Sequence, residues 1–411
     1  VWRRWAGRHP TGIDRVCLAY LEHFERNAQA VVQHRRVRKI LDRESSSVIF
    51  GLLAEPGGDF RKALIRAALR FGTRRACEGR DRVYLNIGHT GLDDEDFRKW
   101  VHRANVRPVY FVHDLIPITH PEFCRAGEYD KHVERLRTVL ETAAGVIVNS
   151  QATLHDLANF ARAQSSSPPP AIAAPLGSDA LTSSPSGGER EPPTFVVLGT
   201  IEARKNHLML LHVWSRIARQ LGRDAPRLLV IGQRGWECEQ VFDLLERSDL
   251  LKGIVVEINR CDDASLAAHL AQARALLFPS LLEGYGLPLV EALQSGTPVI
   301  ASDLPVFREI AGRIPDYLDP LDGPAWERAI LEYSKKRSPA RMSQLGRIKD
   351  FNPPTWRRHF AAVDSWLVGL STNEAAQSRA ANPSTRLETA DSLASPPRTR
   401  HRSTSTRRKS L

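Results

Sequence analysis

Apolar residues along this chain fall into short runs separated by helix-period segments. SVIF (47–50), VYLNI (83–87), PVYFV (108–112) and GVIVNS (145–150) each read as a buried parallel strand, because a strand covered on both faces is a continuous apolar run rather than an alternation. Between them Val133, Leu136 and Leu140 fall three and four residues apart, on one helical face. Such β-α alternation predicts an α/β domain. It restarts further along with TFVVLGT (194–200), RLLVIG (227–232), GIVVEI (253–258), ALLFPS (275–280) and PVIAS (298–302). The intervening SDALTSSPSGGEREPP (178–193) has no period and collects Ser, Gly and Pro, as an interdomain linker does. The pattern divides the chain into a first Rossmann-like domain over 1–177, a linker over 178–193 and a second Rossmann-like domain over 194–350. A last helix over 351–370 follows the Pro353-Pro354 breaker, with Trp356, Phe360, Val363 and Trp366 at helical spacing. From 371 to 411 the chain is polar and aperiodic and reads as disordered.

Composition narrows the picture. A chain of 411 residues with 42% hydrophobic residues can give two domains a core each. No stretch approaches the roughly 18 apolar residues of a membrane span, and no leader pattern precedes a cleavage site, so the expectation is a cytoplasmic protein. Cys17, Cys77, Cys124, Cys238 and Cys261 are scattered without a C-x-x-C pair, which fits neither a disulfide framework nor a zinc site. The net charge is +11, and the tail from Ser371 contributes eight basic against three acidic residues. No base-reading motif or aromatic-interleaved basic stripe accompanies that charge, so nucleic acid is not expected as a partner.

Candidate chemistry concentrates at strand ends. In LLEGYGLPLVEAL, Glu283 and Glu291 flank a turn with Gly284 and Gly286, Tyr285 between them. Pro288 suits a first helical turn, which predicts a helix from about Leu287 to Ser295 stopped by Gly296. That junction presents free backbone N–H groups and a positive dipole end, and the glycines allow close approach of an anion. In VVLGTIEARKNH, Arg204 and Lys205 follow a strand end, a guanidinium and an ammonium suited to clamp a diphosphate. PVYFVHDLIP puts His113 and Asp114 at a strand tip, LNIGHTG puts Asn86 and His89 at another, and HPTGIDRV puts Gly12 before an amphipathic helix. Strand tips line the ligand crevice in open α/β sheets, so these groups are expected to meet in one cleft between two domains. The plainer alternatives are solvated acids for Glu283 and Glu291, surface cations for Arg204 and Lys205, and hydrogen-bonded strand-end histidines for His113 and His89. The D-x-D string Asp94-Glu95-Asp96 reads as a helix start rather than a metal site.

Over residues 8 to 368 the sequence resembles the glycosyltransferase family 4 group of GT-B enzymes, through its E-x7-E element and the preceding Arg-Lys pair. The resemblance implies that Glu291 holds the ribose hydroxyls of a nucleotide sugar, Arg204 and Lys205 its diphosphate, and Glu283 with the Gly284 to Leu287 backbone its sugar. Gly12 would approach the diphosphate, His113 the donor sugar near the reacting carbon, and Asp114 would support that neighbourhood; Asn86 and His89 belong to the acceptor or sugar side. TGIDRV, NIGHTG, HDLIP and GTIEARKNH are similar to a subset of mannosyltransferases that build bacterial surface polysaccharide. The implied reaction is metal-independent hexose transfer with retention, mannose favoured, from GDP-mannose or a UDP-sugar to a glycan or lipid-linked oligosaccharide. No cofactor or metal is expected. The alternative is a catalytically inactive GT-B scaffold that binds a partner. One departure stands out: VWRRWAGRHP is too short and too charged for the strand that precedes the glycine loop in such enzymes. Arg61, Lys62, Arg66 and Arg70 share a helical face, either for contact with a membrane surface at its inner side or simply for solvation.

Overall fold

The computed structural model describes residues 12–34, 37–54, 59–71, 76–178 and 191–381, with side chains up to 370 apart from His34 and Phe71. The chain up to Trp366 forms one compact unit, and Leu367 begins a second, of which the described part is helical. The segment before Gly12, most of the expected linker and the tail beyond Ala381 lie outside the described residues.

Two parallel sheets organise the first unit. The first has the order β3-β4-β5-β6, formed by Val83–Asn86, Arg107–Val112, Gly145–Val148 and Ala171–Ala173. The second has the order β12-β11-β10-β7-β8-β9. Its strands are β7 (Thr194–Leu198), β8 (Arg227–Ile231), β9 (Val255–Ile258), β10 (Leu276–Phe278), β11 (Val299–Ser302) and β12 (Asp316–Leu318). Every pairing in both sheets is parallel. Because sequence order reverses between β7 and β10, the carboxyl ends of those two strands open a crevice at a topological switch point.

Burial on both faces explains the apolar strands. Phe195 and Val197 of β7 pack with Trp214 and Trp326 on one face, while Val196 packs with Leu289 and Phe307 on the other. In the first sheet Val109 to Val112 are fully buried, with Val133 and Leu136 of the helix Glu128–Thr142 against them. The five cysteines are free thiols.

Three departures from the sequence expectations are structural. SVIF is not a strand but the middle of the helix Arg43–Ala54. Asp42 starts that helix by accepting from Ser45 N at 2.8 Å, and Ile49 turns inward while Val48 stays exposed, a helical distribution that a four-residue apolar run cannot reveal. The antiparallel hairpin of β1 (Val31–His34) and β2 (Val37–Ile40) stands ahead of it. The final helix, Trp356–Ala381, continues past residue 371, where irregular chain was expected. Asp94 does cap a helix, Glu95–Ala104, by accepting from Asp96 N, and also pairs with Arg38.

Although it follows the second sheet in sequence, the last helix returns to the first. His359 meets three groups in one consistent tautomer: Nδ1 faces the carbonyls of Ala174 and Pro175 at 3.2 and 3.1 Å and must donate, so Nε2 accepts from Tyr20 Oη at 2.8 Å. Phe360 stacks on His23, with ring centroids 4.0 Å apart. No helix among the described residues is long and apolar enough to cross a membrane.

The approach between the segment after β6 and this helix is close enough to demand glycine. A Cβ on Gly177 would lie 2.2 Å from Trp356 N and 2.6 Å from Trp356 Cγ, whereas one on Gly346, within the helix Pro339–Ile348, would meet nothing within 4 Å. Gly177→Ala should destabilise the fold by about 1–3 kcal/mol through overpacking. Gly346→Ala should stabilise it by about 0.5–1 kcal/mol through helix propensity. Guanidinium denaturation midpoints that moved in the same direction for both would contradict this packing.

Candidate active site

The loops leaving β7 and β10 are stitched together before any side chain reaches a ligand. Asn206, in the left-handed region at φ 58°, donates from Nδ2 to Pro279 O at 3.2 Å and to Pro320 O at 2.8 Å. Leu281 N donates to Arg204 O at 2.8 Å. This juxtaposition brings Arg204 and Lys205 onto Glu283. Arg204 Nη1 donates to Glu283 Oε2 at 2.9 Å, Lys205 Nζ donates to Oε1, and Ser280 Oγ donates to the same oxygen at 2.8 Å. On its other side Arg204 Nε meets Glu202 at 2.6 Å. Two cations and two carboxylates thus form a linked quartet at the switch point.

Burial and charge act differently on its members. Burial alone would push the Glu283 carboxyl up, but Lys205 and Arg204 hold it at about 2. Burial raises Glu202 above the usual carboxylate range despite Arg204 and Lys205. Lys205 is lowered by burial, with Glu283 opposing. Glu202 is not legible from sequence, because a lone acid beside Arg-Lys carries no spacing signal.

Gly286 caps the helix Leu287–Gln294 in a conformation, φ 125°, that side chains rarely adopt, and a Cβ there would meet Phe307 Cε1 at 2.8 Å. Across the cleft, a Cβ on Gly12 would lie 3.7 Å from Leu287 Cδ1. The N-termini of Gly12–Phe24 and Leu287–Gln294 therefore adjoin, two positive dipole ends in one place. Glu291, further along the second helix, is buried and pairs with Arg15 of the first.

From the first sheet, the tip of β4 enters the same region. A Cβ on Gly284 would lie 2.7 Å from His113 O and 2.8 Å from Asp114 Cβ, so the loops of the two sheets touch and only glycine fits. His113 Nε2 donates to Ile87 O at 2.8 Å, and burial lowers the ring's pKa, which keeps it neutral. Asp114 Oδ1 accepts from Ile116 N at 3.1 Å.

Other expected site residues are occupied elsewhere. Asn86 brackets its own turn, accepting from Thr90 N at 3.2 Å and donating to Thr90 O at 3.0 Å. His89 donates back to Phe111 O at 2.7 Å, its ring 5.2 Å from that of His113. The Tyr285 hydroxyl donates to Leu176 O at 2.9 Å, so this side chain braces the chain after β6 while only its backbone faces the loop. The structure brings Gly12, His113, Asp114, Arg204, Lys205, Glu283, Gly284, Gly286, Leu287 and Glu291 into one cleft; Asn86 and His89 stand behind it. A separate depression of about 500 Å³ lies beside β12, where Arg347 pairs with Asp316 and Arg308 with Asp303.

Residues 182–313 match the family described as glycosyl transferases group 1. The serotype-specific mannosyltransferase WbdA of Escherichia coli is 31% identical over 218 residues, covering 49% of this chain and 26% of that protein. O-antigen chain mannosyltransferase B of Escherichia coli is 33% identical over 135 residues, 33% of this chain and 35% of that one. The chain thus spans well under half the length of these curated relatives. Among solved structures, Anabaena HepE in complex with UDP superposes with a TM-score of 0.61 at 13% identity, over 88% of this chain and 97% of that one. Sucrose-phosphate synthase from Thermosynechococcus elongatus gives 0.54 at 18% identity, over 84% and 87%. The chain has the GT-B fold of glycosyltransferases, two Rossmann-like α/β halves, and its second half is similar to the glycosyl transferases of group 1.

Proposed function

We propose that this protein is a hexosyltransferase of bacterial surface polysaccharide synthesis that takes mannose from a nucleotide diphosphate sugar, with retention and without a metal ion, and passes it to a glycan or lipid-linked acceptor. The observation that carries this reading is the quartet of Glu202, Arg204, Lys205 and Glu283 facing two adjoining helix N-termini. The similar mannosyltransferases support the choice of sugar. An inactive scaffold would need a disabled clamp or glutamate, and all of these groups are in place.

Negative charge grows on the departing diphosphate as the sugar becomes oxocarbenium-like. Arg204, Lys205 and the two helix N-termini stabilise that charge at fixed positions, the role a divalent ion fills in other transferases. Glu283, ionised at any ordinary pH, accepts from sugar hydroxyls once the cations turn to phosphate; Glu291 accepts from the ribose. His113, neutral and fixed through Ile87 O, presents an uncharged edge to the donor sugar. The acceptor attacks from the face the diphosphate leaves, and a diphosphate oxygen takes its proton.

The cytoplasmic location belongs to the same proposal, with the first domain resting on a membrane surface. Its helix Phe60–Phe71 exposes Ile65 and Leu69 beside Arg61, Lys62, Arg66 and Arg70, a mixture suited to anionic headgroups. Sedimentation with phosphatidylglycerol vesicles should be salt-sensitive and weaker for Leu69→Glu; equal recovery of both proteins would remove the membrane from the proposal.

Glu283→Gln should lower kcat by about 100-fold or more while nucleotide affinity changes less than about threefold, since the contact strengthens in the transition state. Glu291→Ala should instead raise donor KM by about tenfold or more with kcat nearly kept. Small and equal effects of both would defeat the assignment of roles. Thermal stabilisation should be selective for one sugar nucleotide, GDP-mannose first among them, and unchanged by chelator. A shift abolished by EDTA would overturn the metal-free clamp.

A further inference from the structure

Arg15 stands one turn beyond Gly12 in the helix whose N-terminus meets Leu287. Its Nη1 donates to Glu291 Oε1 across the cleft, joining residues 276 apart in sequence. The Glu291 side chain is 3% exposed and that of Arg15 is 37% exposed. A carboxylate so buried is costly unless a cation answers it, and Arg15 reaches it from the other half of the molecule. The contact occupies an oxygen of the very carboxylate that the functional reading gives to the ribose. One turn of helix separates it from the paired N-termini where that reading seats the diphosphate. A guanidinium carries five donors in a planar fork that matches phosphate oxygens two at a time, and its long stem can swing between neighbouring acceptors.

We propose that Arg15 is a donor-binding residue of the first half of the molecule that exchanges partners: it neutralises Glu291 when the cleft is free and moves to the diphosphate when the ribose hydroxyls take Glu291. The exchange keeps the two halves bridged in both states, first through protein and then through the donor. It also makes donor recognition cooperative within one ligand, because the ribose gains Glu291 only as the phosphates draw Arg15 away. A nucleoside, which offers ribose without phosphate, competes with Arg15; a nucleoside diphosphate recruits it. The inference rests on the reading of Glu291 as the ribose acceptor.

Calorimetric titration of the whole protein with GDP and with guanosine, and with UDP and uridine, separates these contributions. Arg15→Ala should raise the Kd of the preferred diphosphate by about tenfold or more while leaving the matching nucleoside unchanged or tighter. Arg15→Lys keeps a countercharge for Glu291 and hence the fold, but lacks the fork, and should weaken the diphosphate by a smaller factor with no effect on the nucleoside. Diphosphate and nucleoside weakened equally by these variants, or neither affected, would overturn the exchange, provided Glu291→Ala weakens the nucleoside. Nucleoside affinity unchanged in Glu291→Ala would instead remove the ribose assignment itself, and the exchange with it.

Discussion

The Glu283 side chain is only 7% exposed yet ionised, a condition that holds because Arg204, Lys205 and Ser280 donate to it together. Those donors arrive from two strand ends, so the carboxylate fixes the β7 loop against the β10 loop. The backbone does the same through Asn206 and Leu281. With both loops held, the chain turns at Gly286 into its helix, whose first residue, Leu287, lies beside Gly12. Preorganisation of this sort is what a site needs when most of its stabilisation is electrostatic: the charges must be in position before the reaction moves any.

Among the described residues, several polar contacts join the two halves. Gly284 lies against His113 O and Asp114, Ser150 Oγ donates to Gly284 O at 3.4 Å, and the backbone N–H of Gln151 donates to Glu309 at 2.8 Å. Arg125 lies over the Trp236 ring, its guanidinium carbon 4.4 Å from the centroid. Polar contacts of this size are lost and regained at modest cost, which suits the proposed entry of a nucleotide between the halves. The last helix supplies the complementary rigidity, gripping Tyr20 and the chain after β6 through His359.

What the sequence carried well was whatever burial or backbone geometry writes into residue type. The doubly covered strands β4, β5, β7, β8, β10 and β11 stand out as apolar runs, and Gly286 and Gly296, at φ 125° and 73°, punctuate their helix where the pattern places it. Arg204, Lys205 and Glu283 were legible because a strand end, a cation pair and a glycine turn coincide. Less was legible where the signal is a contact between distant segments. SVIF is as apolar as a strand, and only the Asp42 cap and the hairpin ahead of it make it helical. Arg15 is one charged residue on an amphipathic helix until the fold brings Glu291 to it. Asn86 and His89 share a strand tip with the cleft, but their side chains turn back to Thr90 and Phe111, a choice that strand position alone does not dictate.

The quartet also separates its two acids. Its formal charges cancel, so a bound diphosphate brings negative charge into a neutral cluster and withdraws both cations from the carboxylates they serve. Those carboxylates differ in how they can respond. Glu202, raised by burial, is the nearer of the two to taking up a proton. Glu283, held at about 2, stays ionised, as its proposed role as an acceptor of sugar hydroxyls requires. Unequal access to Lys205 contributes to that difference, since Lys205 donates to Glu283 while Glu202 has Arg204. In the proposed reaction, position on the loop rather than residue type assigns one glutamate to balancing charge and the other to the sugar.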